Sequence, residues 1–270
     1  MTAASSGTGA PAGGPGGAPR VAVVTGGAKG IGLAIAQRLH RDGAAVVIAD
    51  VDVPAAEQAA AALGSRALAV RADVTSEDSV EALVDAAVQR FGGIDVMVNN
   101  AGIIQVRPLL ESTADEWRRI LDVNVVGVFL GTKAAARRMV EQGRGGCIVN
   151  AASGGGRKGA RWLAGYCATK AAVINLTQSS ALELAEHRIR VNCYSPGHIP
   201  SPLWDQIHAQ WQPLTGDTRK QMLDRFLATV PWGRFGTPED VANAVAWLVS
   251  PESEYVNGQA IAMNGAELLF

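Results

Sequence analysis

The chain carries almost no net charge. Its 24 Lys and Arg stand against 25 Asp and Glu, a formal charge of −1 over 270 residues. No global field is available to hold nucleic acid or an anionic membrane. Cysteine is scarce: Cys147, Cys167 and Cys193 are odd in number and form no C-x-x-C pair. That argues against a disulfide framework and against a structural zinc site, so no metal is expected. The three read as small buried side chains, which suits a reducing cytoplasm. No stretch approaches the roughly 20 apolar residues of a membrane-spanning helix. Residues 1–19 lack charge and any Leu, Val, Ile or Phe. This is not a signal peptide, and it reads as a disordered leader that buries too little apolar area to order itself. The working domain is expected over residues 20–270.

Apolar runs and glycine are plentiful. Val21–Val24 form a short run, "TGGAKGIG" (25–32) follows, and Ile31, Ile35 and Leu39 then recur at a helical period. Gly43 ends that helix, and "AAVVIA" (44–49) is a second run. Strand, turn, helix and strand in about 30 residues make a βαβ unit. The alternation continues, with strands expected at 67–70, 94–100, 147–153, 189–197 and 259–263. Helices are expected at 76–91, 113–142, 164–186 and 237–250, the last opened by Thr237, Pro238 and Glu239 as cap, first residue and first-turn acid. Continuous apolar strands alternating with helices predict a parallel sheet covered on both faces. The fold class is thus α/β: one Rossmann-like, doubly wound domain of about seven parallel strands. Residues 198–235 break the rhythm. They hold Pro200, Pro202, Pro213 and Pro231, with Trp204, Trp211 and Trp232, and no steady period. A substrate lid is expected there.

The glycine turn offers a phosphate site. Gly26, Gly30 and Gly32 permit close backbone approach, and the helix behind them points its free N–H groups at the turn. Asp50 ends the second strand, 18 residues after Gly32. An acid there meets the adenosine ribose hydroxyls and repels a 2′-phosphate, which favours NAD over NADP. Lys29 pulls the other way, since a cation in the turn suits such a phosphate. Asp73, before Val74, is expected either at the adenine edge or as a helix cap.

A second cluster suggests proton transfer. Tyr166 and Lys170 lie one helical turn apart and share a face. An ordinary tyrosine, with pKa near 10, is a poor acid or base at neutral pH; an adjacent ammonium favours phenolate and lowers that value. Such a pair suits a carbonyl/alcohol couple. Ser153, 13 residues before Tyr166, is placed to hold the substrate oxygen.

In order and spacing, "TGGAKGIG", "NNAG" (99–102), Asn124 in "DVNVVG", Ser153, Tyr166-x-x-x-Lys170 and "SPG" (195–197) resemble the short-chain dehydrogenase/reductases over about residues 20–265. The resemblance implies a catalytic tetrad of Asn124, Ser153, Tyr166 and Lys170. Lysine would also hold the nicotinamide ribose, and asparagine would position a water relaying protons to it. The implied cofactor cleft takes Gly26, Lys29, Gly30, Ile31 and Gly32 from the first turn, and Asp50, Asp73 and Val74 from the next two strand ends. Asn100, Ala101 and Gly102 line it centrally. Pro196, Gly197, Ile199 and Ser201 close it, with Ser201 at a position that touches the nicotinamide amide. A homotetramer is implied, with no nucleic-acid or membrane partner. Within the family, the look is nearest to NAD-dependent polyol and diol dehydrogenases acting on sorbitol, galactitol, acetoin or butanediol.

Two departures bear on substrate. Those relatives often carry Gln after the catalytic serine, where this chain has Gly154, Gly155 and Gly156. Their D-G-G near the C-terminus is here "MNGAELLF" (263–270), with Asn264 and Ala266 replacing Asp and the second Gly. Gly154, Gly155, Trp162, His198 and Trp204 are the expected substrate residues, with Trp211 and His208 also candidates. The expected activity is NAD(H)-dependent interconversion of a secondary alcohol and its ketone, on a sugar, cyclitol, bulkier polyol or natural-product intermediate. An NADPH-dependent ketoreductase of the 3-oxoacyl-carrier-protein type is one alternative. A non-catalytic dinucleotide sensor is another, opposed by the presence of both Tyr166 and Lys170.

Overall fold

Strands that are apolar on both faces need cover on both, and the computed structural model arranges them so. It describes residues 20–201 and 203–269; the expected leader over 1–19 lies outside them. Among the described residues, seven strands form one sheet: β1 (Val21–Thr25), β2 (Ala45–Asp50), β3 (Ala67–Arg71), β4 (Val96–Asn99), β5 (Gly146–Ala151), β6 (Ile189–Pro196) and β7 (Ala260–Met263). Their order is β3-β2-β1-β4-β5-β6-β7 and every pair is parallel. The helices are α1 (Gly30–Arg41), α2 (Val53–Leu63), α3 (Glu77–Phe91), α4 (Ala114–Leu121), α5 (Gly127–Gln142), α6 (Ala164–Leu184), α7 (Leu203–Thr215), α8 (Arg219–Leu227) and α9 (Pro238–Val249).

The two-residue period of a strand divides the core. Ala22 and Val24 pack with Val46, Ile48, Val149 and the buried faces of α1, α2 and α9. Val21 and Val23 point the other way, with Val47, Met97 and Ile148, onto α3, α5 and the end of α6 at Ala181 and Leu184. Helix α9 opens as expected: Thr237 Oγ1 accepts from the Asp240 amide, and Asp240 accepts in return from the Thr237 amide.

Three stretches differ from expectation. Helix α2, "VPAAEQAAAAL", carries little contrast between its faces and leaves no periodic trace. The helix expected over 113–142 is interrupted by a π-helical turn, Asp122–Val126. Residues 198–235 are largely ordered into α7 and α8. Their apolar side chains serve an aromatic cluster rather than a helix stripe, and Pro213 sits inside α7, so no period is visible.

The C-terminal ends of β4 and β5 are bound to the helices behind them by a buried polar chain. Asn99 Nδ2 donates to Asn150 Oδ1 (2.9 Å) and to Thr132 Oγ1 on α5 (3.2 Å). Asn150 Nδ2 donates to Thr177 Oγ1 on α6 (3.0 Å). All four side chains are buried. Removing one partner leaves the others desolvated and unpaired. Asn150→Ala is therefore expected to lower stability by about 2–4 kcal/mol, read as a fall in the denaturant midpoint.

Candidate active site

Strand order reverses between β1 and β4, and a crevice opens at their C-terminal ends. Gly26 lies there at φ +60°, so close to β4 that an added Cβ would stand 3.0 Å from Ala101 Cα. A Cβ on Gly32 would stand 2.1 Å from the Gly26 carbonyl. Only glycine fits these contacts. Lys29, the N-cap of α1, makes no side-chain bond to the first turn, so the N-terminal amides of α1 are left for an anion. The glycine turn therefore fits a dinucleotide pyrophosphate.

The β2 end is more acidic than expected. Asp50 Oδ2 accepts from the Ala28 amide (3.2 Å) and Oδ1 from the Asp52 amide (3.0 Å). Lys29 Nζ lies 2.6 Å from Asp52 Oδ2, and the pairing raises the lysine pKa and lowers that of the carboxyl. The cation expected to meet a 2′-phosphate is thus paired with a second acid on the surface. Asp52 escapes the sequence reading because position singles out only the strand-end acid. Asp73 holds its own turn, accepting from the Thr75 amide and hydroxyl at 3.0 and 2.7 Å. The cap of α3 is Ser76 rather than Asp73. Val74 packs against Gly127, where a Cβ would meet its Cγ2 at 2.9 Å. Asn100 Nδ2 donates to the carbonyls of Thr25 and Gly26, and its Oδ1 accepts from the Tyr194 hydroxyl.

The four tetrad residues converge beyond the same sheet edge. Ser153 follows β5, and its Oγ accepts from the Gly155 amide (3.2 Å). Tyr166 and Lys170 project from the first two turns of α6. A Cβ on Gly155 would lie 3.6 Å from both Ser153 Oγ and Tyr166 Cε1, so the two heads flank one glycine. Likewise, a Cβ on Gly102 would lie 3.3 Å from Asn124 Oδ1 and 3.6 Å from Lys170 Nζ. Lys170 Nζ donates to the Ala151 carbonyl at 2.7 Å and stands 5.7 Å from the Tyr166 ring centre.

Asn124 sits in the π turn, whose extra residue re-aims the side chain. Its Oδ1 accepts from the Ile103 amide (2.8 Å), while Nδ2 donates to the Ile103 carbonyl (2.9 Å) and to Thr169 Oγ1 (3.2 Å). The side chain clamps the 101–103 loop to α6. Thr169, which in turn donates to the Tyr166 carbonyl at 2.7 Å, carries no motif that sequence reasoning could find.

The electrostatics correct one expectation. Burial raises the Tyr166 pKa above 10, partly offset by a hydrogen bond with Ser153. The lysine does not bring it down, because its ammonium is turned to Ala151 and is itself penalised by burial. Desolvation lowers the Lys170 pKa from 10.5 to about 8.

A cavity of about 440 Å³ adjoins Ser153 and Tyr166. Gly154, Gly155, His198 and Trp204 line it, as expected; Ile31, Pro196, Gly197, Ile199 and Ser201 do too, so the cofactor cleft and the cavity are continuous. Trp162 does not line it. It packs edge-on against Trp211, which does, with ring centres 5.1 Å apart. His208 lies against the Asp217 carbonyl at 3.2 Å and is also outside the lining. Phe226, Glu267 and Leu268 line the cavity without having been expected there, although the tail that carries two of them departs from the relatives' pattern. Among the described residues no cluster suits a metal ion, and no helix is long and apolar enough to cross a membrane.

A family model described as Enoyl-(Acyl carrier protein) reductase matches residues 26–265. Galactitol 2-dehydrogenase of Agrobacterium fabrum is 40% identical over 249 residues, 91% of this chain and 96% of that relative. The chain belongs to the short-chain dehydrogenase/reductase family. It is therefore an enzyme, an oxidoreductase dependent on NAD(P). Cis-4-hydroxycyclohexanecarboxylate dehydrogenase of Sinomonas cyclohexanicum is 45% identical over 252 residues, 92% of this chain and 96% of that relative. Among solved structures, a single-residue variant of actinorhodin polyketide ketoreductase with NADPH superimposes at TM-score 0.88 with 35% identity, covering 92% of this chain and 97% of that one. A 3-ketoacyl-(acyl-carrier-protein) reductase from Brucella melitensis with NADH gives 0.83 and 36%, covering 93% and 99%.

A lysine held below its usual pKa burdens stability. In the unfolded chain Lys170 keeps its proton up to 10.5, in the folded chain only to about 8. Stability therefore rises with pH between those values, and the penalty is full below about 8. Lys170→Met is expected to melt above wild type at neutral pH, with the gain shrinking as pH climbs from about 8, read by thermal unfolding across pH.

Proposed function

We propose that this enzyme is an NAD(H)-dependent dehydrogenase interconverting a secondary alcohol and its ketone, with a ring-bearing or bulkier polyol, such as a sugar, cyclitol or natural-product intermediate, as substrate. The observation that carries the reading is the meeting of Ser153 and Tyr166, with Lys170 one helical turn behind, at a large aromatic-walled cavity continuous with the dinucleotide cleft. NAD, when bound, supplies the hydride acceptor. Ser153 holds the carbinol oxygen. Tyr166 takes the hydroxyl proton in oxidation and returns it in reduction. Lys170 binds the nicotinamide ribose. Asn124 keeps the Ile103 loop and α6 in register. The segment 198–235 acts as the lid.

The preference for NAD is supported by Asp50 and Asp52 at the β2 end, with Lys29 committed to Asp52. The ring or polyol substrate is supported by Trp204, Trp211 and Phe226 on the cavity wall, and by the relatives named for galactitol and for a hydroxycyclohexanecarboxylate. We assign a homotetramer on the exposed apolar side chains of Phe129 on α5 and Leu182 on α6, and light scattering is expected to give the mass of four chains.

The reading is tested by NAD(H)- and NADP(H)-linked assays over polyols, cyclitols and small diols, with wild type and Tyr166→Phe. Wild type is expected to prefer NADH by at least about tenfold, and the variant to lose at least about 100-fold in kcat while still binding NADH by calorimetry. A clear NADPH preference would refute the part given to Asp50 and Asp52. Near wild-type turnover by the variant would refute the part given to Tyr166. Butanediol turned over well above every cyclic alcohol would refute the bulky substrate.

A further inference from the structure

The cavity wall opposite in character to its aromatic residues comes from the last described residues of the chain. After β7 the backbone reverses through Gly265 at φ +58° and Ala266 at φ +67°. Alanine in the left-handed region costs roughly 1–2 kcal/mol, and such strain persists only where the surroundings enforce it. Asn264 does so. Its Oδ1 accepts from the Ala266 amide (3.1 Å), its Nδ2 donates to the Leu268 carbonyl (2.8 Å), and its carbonyl accepts from the Glu267 amide (3.1 Å). The Trp232 amide fastens the turn from outside by donating to the Gly265 carbonyl at 3.1 Å. The result is that Glu267 and Leu268 face the cavity that Ser153 and Tyr166 also line.

Leu268 fills the space that a side chain at position 154 would need. A Cβ on Gly154 would lie 3.0 Å from Leu268 Cδ1. The missing side chain after Ser153 and the unusual tail are therefore one feature, in which a wall from the tail stands where a wall from position 154 would stand.

Glu267 is the polar part of that wall. Its side chain is 17% exposed. Oε1 lies 3.0 Å from His198 Nε2 and 3.4 Å from Thr229 Oγ1. His198 is fixed by stacking on Phe226, with ring centres 4.8 Å apart. Oε2 accepts no hydrogen bond from the described residues. A carboxylate that is mostly buried and oriented by an imidazole keeps one oxygen free of protein partners at a solvent-filled cavity, where a ligand hydroxyl can take the place of water.

We propose that Glu267 is the specificity-determining residue of the substrate cavity, accepting a hydrogen bond from a second hydroxyl of a neutral polyol or cyclitol and rejecting substrates that present a carboxylate there. This rests on the alcohol dehydrogenase reading given above. An oriented, mostly buried acceptor discriminates against an analogue that lacks the matching hydroxyl, because that analogue displaces water without replacing its hydrogen bond. A carboxylate at the same place meets a like charge.

The test uses the full chain with NAD on cyclohexanol, the cis and trans cyclohexane-1,2-, 1,3- and 1,4-diols, and cis-4-hydroxycyclohexanecarboxylate. Wild type, Glu267→Gln and Glu267→Ala are compared, with thermal midpoints and NADH binding checking that each is folded. Wild type is expected to favour at least one diol over cyclohexanol by about tenfold or more in kcat/KM. In Glu267→Ala that ratio should fall toward one, chiefly through KM. Glu267→Gln, which keeps an acceptor oxygen of the same size, should retain part of it. An unchanged ratio in folded Glu267→Ala overturns the proposal and leaves the dehydrogenase reading standing. So does a wild type that prefers the carboxylate, which would assign recognition to the exposed cations Lys158 and Arg161 on the same cavity instead. A wild type that oxidises none of these alcohols overturns the proposal, and the wider assays given above then decide the dehydrogenase reading.

Discussion

A lysine ammonium held away from water against the Ala151 carbonyl is the contact from which the rest of the site takes its position. Placing that charge in the interior costs free energy, and the cost is met by packing that permits α6 one seat on the sheet. Thr177 joins the middle of α6 to Asn150, and Thr169 joins its start to Asn124. Tyr166, between the sheet edge and the cavity, inherits its place from these three bonds. Its own hydroxyl is not needed to hold the helix and meets Ser153 instead. The raised pKa of Tyr166 and the lowered pKa of Lys170 have one origin, since both groups have been moved out of water in their charged forms.

The sheet was legible because its strands are continuous apolar runs. Val21–Val24, 44–49 and 147–150 read as buried from both sides, and the glycine turn after the first of them marks where the order reverses. The tetrad was legible as motif and spacing. Its support was not. Thr169, Thr177 and Thr132 are single hydroxyls whose partners lie from 27 to 45 residues away, and local pattern carries no trace of such distances. Helix α2 escaped for the opposite reason: alanine on nearly every face gives no period. The pKa of Tyr166 was read in the wrong direction because spacing places Lys170 on the same face but does not say which way its head turns.

The substrate end was the least legible, and the structure shows why. Its walls come from five separated stretches, the loop holding Ile104 and Val106, the 153–167 turn and helix start, Pro196–Ser201, the α7–α8 pair and the tail at Glu267–Leu268. Each is short and none repeats. Trp162 shows the limit of reading residue type alone. It is a large aromatic close to the site, yet it serves as a brace for Trp211 instead of a wall. Asp52 shows the same limit at the cofactor end, where a neighbour two residues past the expected acid changes what Lys29 is able to do.

The π turn at Asp122–Val126 limits how the chain can change in length. A residue advances a helix by about 100°, so one surplus residue sets the side chains of α5 out of phase with those of α4 by that angle. The position of Asn124 is consequently encoded by a count as much as by an identity. Deleting a residue of the turn other than Asn124 would let α4 and α5 join as one regular rod. Asparagine would still be present in the chain, rotated off Ile103 and Thr169, and its neighbours downstream would turn with it. Length in this segment is thus as constrained as chemistry.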